Sequence, residues 1–250
     1  MRVLRKKNKV VAKDEKALLE ITKYEQYRTV EDLFTRSQAN TAYYMLLALS
    51  SIIIAAGLLL NNVPIVIGGM LVAPVLTPLL LFGLAFSIGE FAVIRRVGRL
   101  MIMSFSIILV LSFFLTTILG HHREVFEITN TLETALLYFV VAVASGIAGT
   151  FALSRKELSE VLPGVAVAIS LVPPLALVGI WLSDLNLVLA RFYLLIFSFN
   201  LFGILVGSVV VFSMLGFYQT KEKVELHEEA EAKRIEKKKL AKKKEKKEGV

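Results

Sequence analysis

The chain has 250 residues, 56% of them hydrophobic, and its mean hydropathy is positive at +0.67. Charged residues make up 20% and cluster between long uncharged runs, which excludes an ordinary water-soluble domain. The formal charge of +8 comes from residues that flank apolar runs rather than interleave with aromatics. The expected partner is therefore the lipid bilayer, and no nucleic acid is expected. With no cysteine, disulfides and thiolate metal sites are excluded.

Residues 1–36 are polar and basic and lack the apolar core and cleavage site of a secretory signal. Ala17, Leu18, Ile21 and Tyr24 recur at helical spacing among charges. They predict a short amphipathic helix on the membrane or on the bundle. Thr29, with Asp32 three positions later, resembles a capping box opening the helix that becomes the first span.

No Asp, Glu, Lys or Arg occurs in 37–89, 100–122, 134–154, 161–183 or 192–220. About 20 apolar residues cross a bilayer core as a helix. Each run is long enough, and the first is long enough for two spans. It divides at the turn signal Asn61-Asn62-Val63-Pro64. The predicted spans are 39–60, 63–88, 98–119, 132–153, 161–182 and 189–218. With both ends on one side, that side carries every Lys and Arg except Arg123 and Arg191. The positive-inside bias makes it the cytoplasm. The expectation is a multi-pass cell-membrane protein with a six-helix domain at 37–219 and a charged cytoplasmic tail at 220–250. Val224, Leu226, Ile235 and Leu240 are too few for a heptad seam, so the tail reads as an exposed, fraying helix.

The second and fifth spans share a proline pattern. At an offset of 99 residues, Pro64 falls on Pro163, Val66 on Val165, Pro74 on Pro173 and Leu76 on Leu175. Only six prolines exist, and four of them pair at this offset. The halves, 39–120 and 132–218, each hold three predicted spans, so the second enters from the opposite side. This predicts an all-α polytopic bundle of two inverted three-helix repeats, an arrangement common in transporters and also found in channels.

Proline within a helix removes a hydrogen bond and clashes with the preceding turn. Pro74 and Pro78 should interrupt span 2, and Pro173 and Pro174 span 5. The carbonyl of Met70 should be freed, along with those of Pro74, Ile169 and Ser170. Such groups need protein or water around them. The candidate solute pathway therefore comprises Gly68, Gly69, Met70, Pro74, Thr77, Pro78, Ser170, Pro173, Pro174 and Asn200. Gly164 adds flexibility, and Ser104, Ser145 and Ser198 are further lining candidates. Half-helix amino ends suit an anion and freed carbonyls suit a cation, so the sign of the solute stays open. Glu90, after span 2, reads either as a loop ion pair with Arg95 and Arg96 or as a gate residue. No ionisable residue lies deep in a span, which disfavours a proton relay. Small-residue pairs Gly203/Gly207, Ser145/Gly149 and Gly69/Ala73 allow close helix packing, within the chain or in a homo-oligomer.

No phosphate-binding loop, metalloprotease motif or serine-nucleophile motif is present. His121 and His122 lack further ligands. No enzyme activity, cofactor or metal is expected. The segments from Asn62 to Pro74 and from Leu162 to Leu175 resemble those of the "domain of unknown function 389" family of hydrophobic membrane proteins. Gly89-Glu90 is similar to that family's Gly-acid pair after span 2, and Asn200 to an asparagine in its last span. The resemblance covers about 35–217; longer members carry an extra soluble segment, which is not expected in this chain. It implies the architecture and no substrate. The expected function is a transporter or channel for a small solute or ion; the alternative is a membrane scaffold or sensor acting through its cytoplasmic ends.

Overall fold

The computed structural model describes residues 21–119, 132–155, 158, 171–230 and 233. Among these the chain is all-α. Its helices are α1 (Lys23–Arg36), α2 (Thr41–Leu59), α3 (Val63–Val72), α4 (Leu76–Ile88), α5 (Phe91–Leu119), α6 (Leu132–Ser154), α7 (Val172–Ser183) and α8 (Leu187–Met214). A short 3-10 turn, Phe217–Thr220, leads into a tail helix at residues 221–230. Helices α2, α5, α6 and α8 are long and apolar enough to cross a membrane, and the bent pair α3–α4 makes a fifth if counted as one span.

Helix α1 begins about two turns before the expected capping box. The Thr22 hydroxyl accepts the Glu25 N–H at 3.2 Å, and the Glu25 carboxylate accepts the Thr22 N–H at 2.9 Å. Thr29 sits inside the helix, where its hydroxyl donates back to the Glu25 carbonyl at 2.8 Å. Nor does α1 run into the first span. It stops at Arg36, and Asn40 caps α2 by accepting the Tyr43 N–H at 2.8 Å. The buried face of α1 is Gln26, Thr29, Val30, Leu33 and Phe34, turned onto the bundle. Tyr24 is exposed, Ile21 packs against the core, and Ala17 and Leu18 lie outside the described residues.

The turn at Asn61-Asn62 is as the sequence predicts. Asn61 takes a left-handed φ of 50°, and Asn62 caps α3 by accepting the Ile65 N–H at 3.2 Å. Pro64 sits in the first turn, where its missing N–H costs nothing. The hairpin closes tightly because Gly57 faces Val66 and Gly69 faces Ile53 and Ile54.

The connection from α4 to α5 is shorter than expected. Gly89, at φ 72°, ends α4, and Glu90 already accepts the Ile94 N–H at 3.1 Å. Helix α5 therefore begins at Phe91, about two turns before the expected start near Gly98. Arg95, Arg96 and Arg99 lie on a helix and not in a loop. Their charge ended the predicted span, but it does not end the backbone ladder.

Helices α6 and α8 pack most closely. Gly146 lies on the Ile204 backbone, and Gly203 and Gly207 on the α6 backbone around Phe139 and Val143. Without lipid-excluding hydrophobicity between spans, such small residues let dispersion act at short range. The contact stripe on α6 runs through Ala142 and Gly146, rotated from the expected Ser145/Gly149 pair.

The tail is not an exposed helix over its described length. Val224 and Phe217 are fully buried, and Lys223 donates to the Tyr27 carbonyl of α1 at 3.0 Å. The charged look of the tail concealed this, because one buried valine per two turns suffices when α1 supplies the other side.

Candidate functional site

The break in span 2 lies where Pro74 requires it. A residue before proline is pushed out of the helical region, and Ala73 takes φ −66°, ψ 121°. The two halves, α3 and α4, meet at 56°. The Ala73 N–H is shared between the carbonyls of Gly69 at 3.2 Å and Met70 at 3.3 Å. The Met70 carbonyl, expected to be free, is thus occupied. Helix α4 restarts at Leu76 with no side-chain cap; Thr77 is second and Pro78 third in its opening turn. Pro78 is buried, while Pro74 and Thr77 are half-buried.

Helix α7 opens in the same way as α4. Leu171 precedes it with no side-chain cap, and Pro173 and Pro174 occupy its second and third positions. Every residue from Val172 to Trp181 is buried, so α7 is enclosed on all sides. Twelve residues make about 18 Å of helix, too short alone for a bilayer core. Ser170, Pro163 and Gly164 lie outside the described residues. Helix α7 packs on α5 and α8, and also touches α2 and α3. The first half of the broken span 2 and the described part of the predicted span 5 therefore meet.

The other candidates divide. Asn200 on α8 is 2% exposed and lies in the core. Met70 packs against the core from α3. Gly69 serves the α2 contact, whereas Gly68 is exposed and faces open space. Ser104 is buried and shares a hydrogen bond with the Tyr43 hydroxyl at 2.8 Å. Ser198 is exposed and bonds back to Leu194, so it does not line the centre. Glu90 forms no ion pair among the described residues. Arg96 instead pairs with Glu228 of the tail helix at 2.7 Å. The early start of α5 places Arg96 on the α1 side, away from Glu90.

Contacts that the sequence reading did not single out line the junctions of α4 and α7. Gly83 of α4 faces Ser208 of α8, and Gly179 of α7 faces Leu109 and Ser112 of α5. At the ends of these junctions Ser87 shares a hydrogen bond with Ser213 at 3.0 Å, and Thr117 with Ser183 at 3.1 Å. The signal was present in the chain, since Gly83, Ser87 and Ser112 recur 96 residues on as Gly179, Ser183 and Ser208, but the proline offset of 99 hid it.

An all-α chain with four to five apolar helices of spanning length, one of them broken at proline beside the short buried α7, is of the polytopic membrane class. The family described as "Domain of unknown function (DUF389)" matches residues 70–206, and the chain belongs to it. An uncharacterized protein of Methanocaldococcus jannaschii is 26% identical over 196 residues, 77% of this chain and 59% of the relative. The chain thus spans 59% of that relative's length. No solved structure matches.

Proposed function

We propose that the protein is a membrane transporter or channel for a small solute or ion. In this reading six spans form two inverted three-span repeats, both ends face the cytoplasm, and the path runs between interrupted spans 2 and 5. The observation that carries it is the like opening of two helices: α4, after the break in span 2, and α7 both begin on an uncapped turn with proline third. Broken helices facing each other across a repeat are where transporter folds keep their sites.

The repeat reading draws further support from one register. At an offset of 96, the start of α4 falls on that of α7, and the start of α5 on that of α8. Pro78 falls on Pro174, Gly83 on Gly179, Ser87 on Ser183, Ser112 on Ser208 and Thr117 on Ser213. Gly89 and Leu185, both at positive φ, also correspond. Each connection closes alike, with Glu90 N–H on the Ala85 carbonyl at 2.9 Å and Asn186 N–H on the Trp181 carbonyl at 3.0 Å. Packing exchanges too: α4 lies on α8 as α7 lies on α5. The 99-residue offset of Pro64 and Pro74 shortens by three after the break, because Pro74 and Pro78 are separated where Pro173 and Pro174 adjoin.

Proteoliposomes challenged with gradients of monovalent salts and small neutral solutes test the path. Wild type should pass at least one class, and Pro74→Ala and Pro173→Ala should change its rate. Equal rates in variants that keep their helical content would sink the path between the breaks. A second reading, a non-transporting scaffold or sensor, is favoured by the docking of the tail on α1 and α5. It predicts that removing residues 221–250 abolishes a partner interaction while the core stays folded.

A further inference from the structure

We infer that α1 and the tail helix form a clasp that holds the α4/α8 seam shut at the end of the bundle where both lie. The seam is the line along which Gly83 meets Ser208 and Ser87 meets Ser213. Helix α4 packs against both α8 and α5. The clasp bonds to both of these and packs on α4 itself.

On the α8 side, Gln26 of α1 donates its Nε2–H to the Leu215 carbonyl at 2.9 Å, in a buried bond. Carbonyls at a helix end lack intrahelical partners, and α1 supplies one here. Phe217 then stands edge-on to Phe212 of α8 at 4.9 Å. On the α5 side, Arg96 pairs with Glu228 at 2.7 Å, the two side chains being only 19% and 17% exposed. The Arg96 guanidinium also lies over the Phe34 ring of α1 at 5.2 Å. His227 stacks on that same ring at 5.2 Å. Lys223 joins tail to α1 through the Tyr27 carbonyl at 3.0 Å and Glu31 at 3.7 Å. Val30, Leu33, Phe34 and Val224 are buried among these bonds.

For the seam to part, the end of α8 must shift against α4 and against the start of α5, which follows α4 directly through Gly89 and Glu90. The clasp bridges all three, so it has to release first. Removing one partner of a mostly buried ion pair leaves a charge short of solvent and of a counter-charge, which makes Arg96–Glu228 the contact whose loss should open the clasp. The inference rests on the transport reading only for what an open seam would admit, and its test needs no solute.

The sequence has no cysteine, so one introduced thiol reports without background. Ser208→Cys places it in the closed seam, where Ser208 is fully buried. The full chain in lipid nanodiscs is treated with a water-soluble cationic methanethiosulfonate. Labelling should be slow in the parent. It should rise by about tenfold or more with Arg96→Glu or with Glu228→Arg, as expected for losing a largely desolvated pair. The double reversal Arg96→Glu/Glu228→Arg should return it close to the parent rate. Ser112→Cys, at the α5/α7 seam, should label no faster in any of these backgrounds. Unchanged Ser208→Cys labelling in both single reversals would overturn the clasp. So would failure of the double reversal to restore it, or equal acceleration at Ser112→Cys, which would mean general loosening. None of these results bears on the proline test of the path.

Discussion

An alanine at Gly203 and an alanine at Gly68 should act in opposite directions. A Cβ on Gly203 would lie 2.8 Å from the Ala142 Cβ, 2.9 Å from the Phe139 carbonyl oxygen and 3.1 Å from the Val143 amide nitrogen. Comfortable separations between such atoms are about 3.5–4.0 Å. Two of the three neighbours are backbone, so relief requires α6 to move off α8 by about half an ångström or more. Overpacking of this kind costs about 1–3 kcal/mol. Around Gly68 nothing lies within 4 Å, so alanine there meets no atom. It should instead stabilise α3 by about 0.5–1 kcal/mol, the usual helix-interior gain over glycine. The two variants should therefore differ by about 1.5–4 kcal/mol. Reversible unfolding in mixed detergent micelles, followed by far-ultraviolet circular dichroism, measures this difference. The single tryptophan, Trp181, is buried in α7 and gives a second probe by fluorescence. If Gly203→Ala matched wild type, or Gly68→Ala were the less stable of the two, the close α6/α8 contact would not be a source of stability.

Three further outcomes are expected. Arg96→Gln leaves the Glu228 carboxylate unpaired, and since each partner is about a fifth exposed the cost should be about 1–3 kcal/mol, below that of a fully buried pair; faster protease cleavage within the tail helix measures it. Burial and then Lys223 hold the His227 imidazole below its ordinary value of 6.5, against the opposing pull of Glu31, with Arg96 on the same Phe34 ring. A docked tail thus prefers neutral His227; that preference is fully present above pH 6.5 and is lost as pH falls below it. Tail cleavage should accelerate on acidification, and His227→Phe, which keeps the ring stack, should lose that dependence. Thr22→Ala should cost α1 about 1 kcal/mol through its cap. The Thr22 backbone N–H, and after it the hydroxyl, hold the Glu25 carboxyl below 4.5. In Thr22→Ala its titration, followed by NMR, should move back up.

What the sequence made legible was mostly local chemistry. Asn62 before Val63-Pro64 caps a helix whatever surrounds it, and Pro74 forces Ala73 out of the helix by contact between neighbouring residues. Charge-free length found the four long apolar helices and the bent pair α3–α4 for the same reason. It misplaced the start of α5, because Arg95, Arg96 and Arg99 are good helix formers and mark an environment, not a helix end. The capping box was read about two turns late because Thr29 and Asp32 carry the pattern too; Thr22 and Glu25 complete it with a better acid. The clasp could not be read at all. Gln26 and Leu215 are 189 positions apart, and nothing local in either predicts that bond. The role of Gly68 was also hidden, since neighbouring glycines on a helix face different ways and only packing separates Gly69 from it.

Leu185 is 84% exposed and sits at φ 59°. A left-handed conformation costs a leucine roughly 1–2 kcal/mol that glycine, as at the corresponding Gly89, avoids. No contact of an exposed side chain repays that cost. The turn between α7 and α8 is therefore imposed from outside: the enclosed α7 fixes where one helix must stop, the long α8 fixes where the next must begin, and the backbone between them bends to fit. Local preference proposes most corners of this chain, but at this one the architecture overrules it.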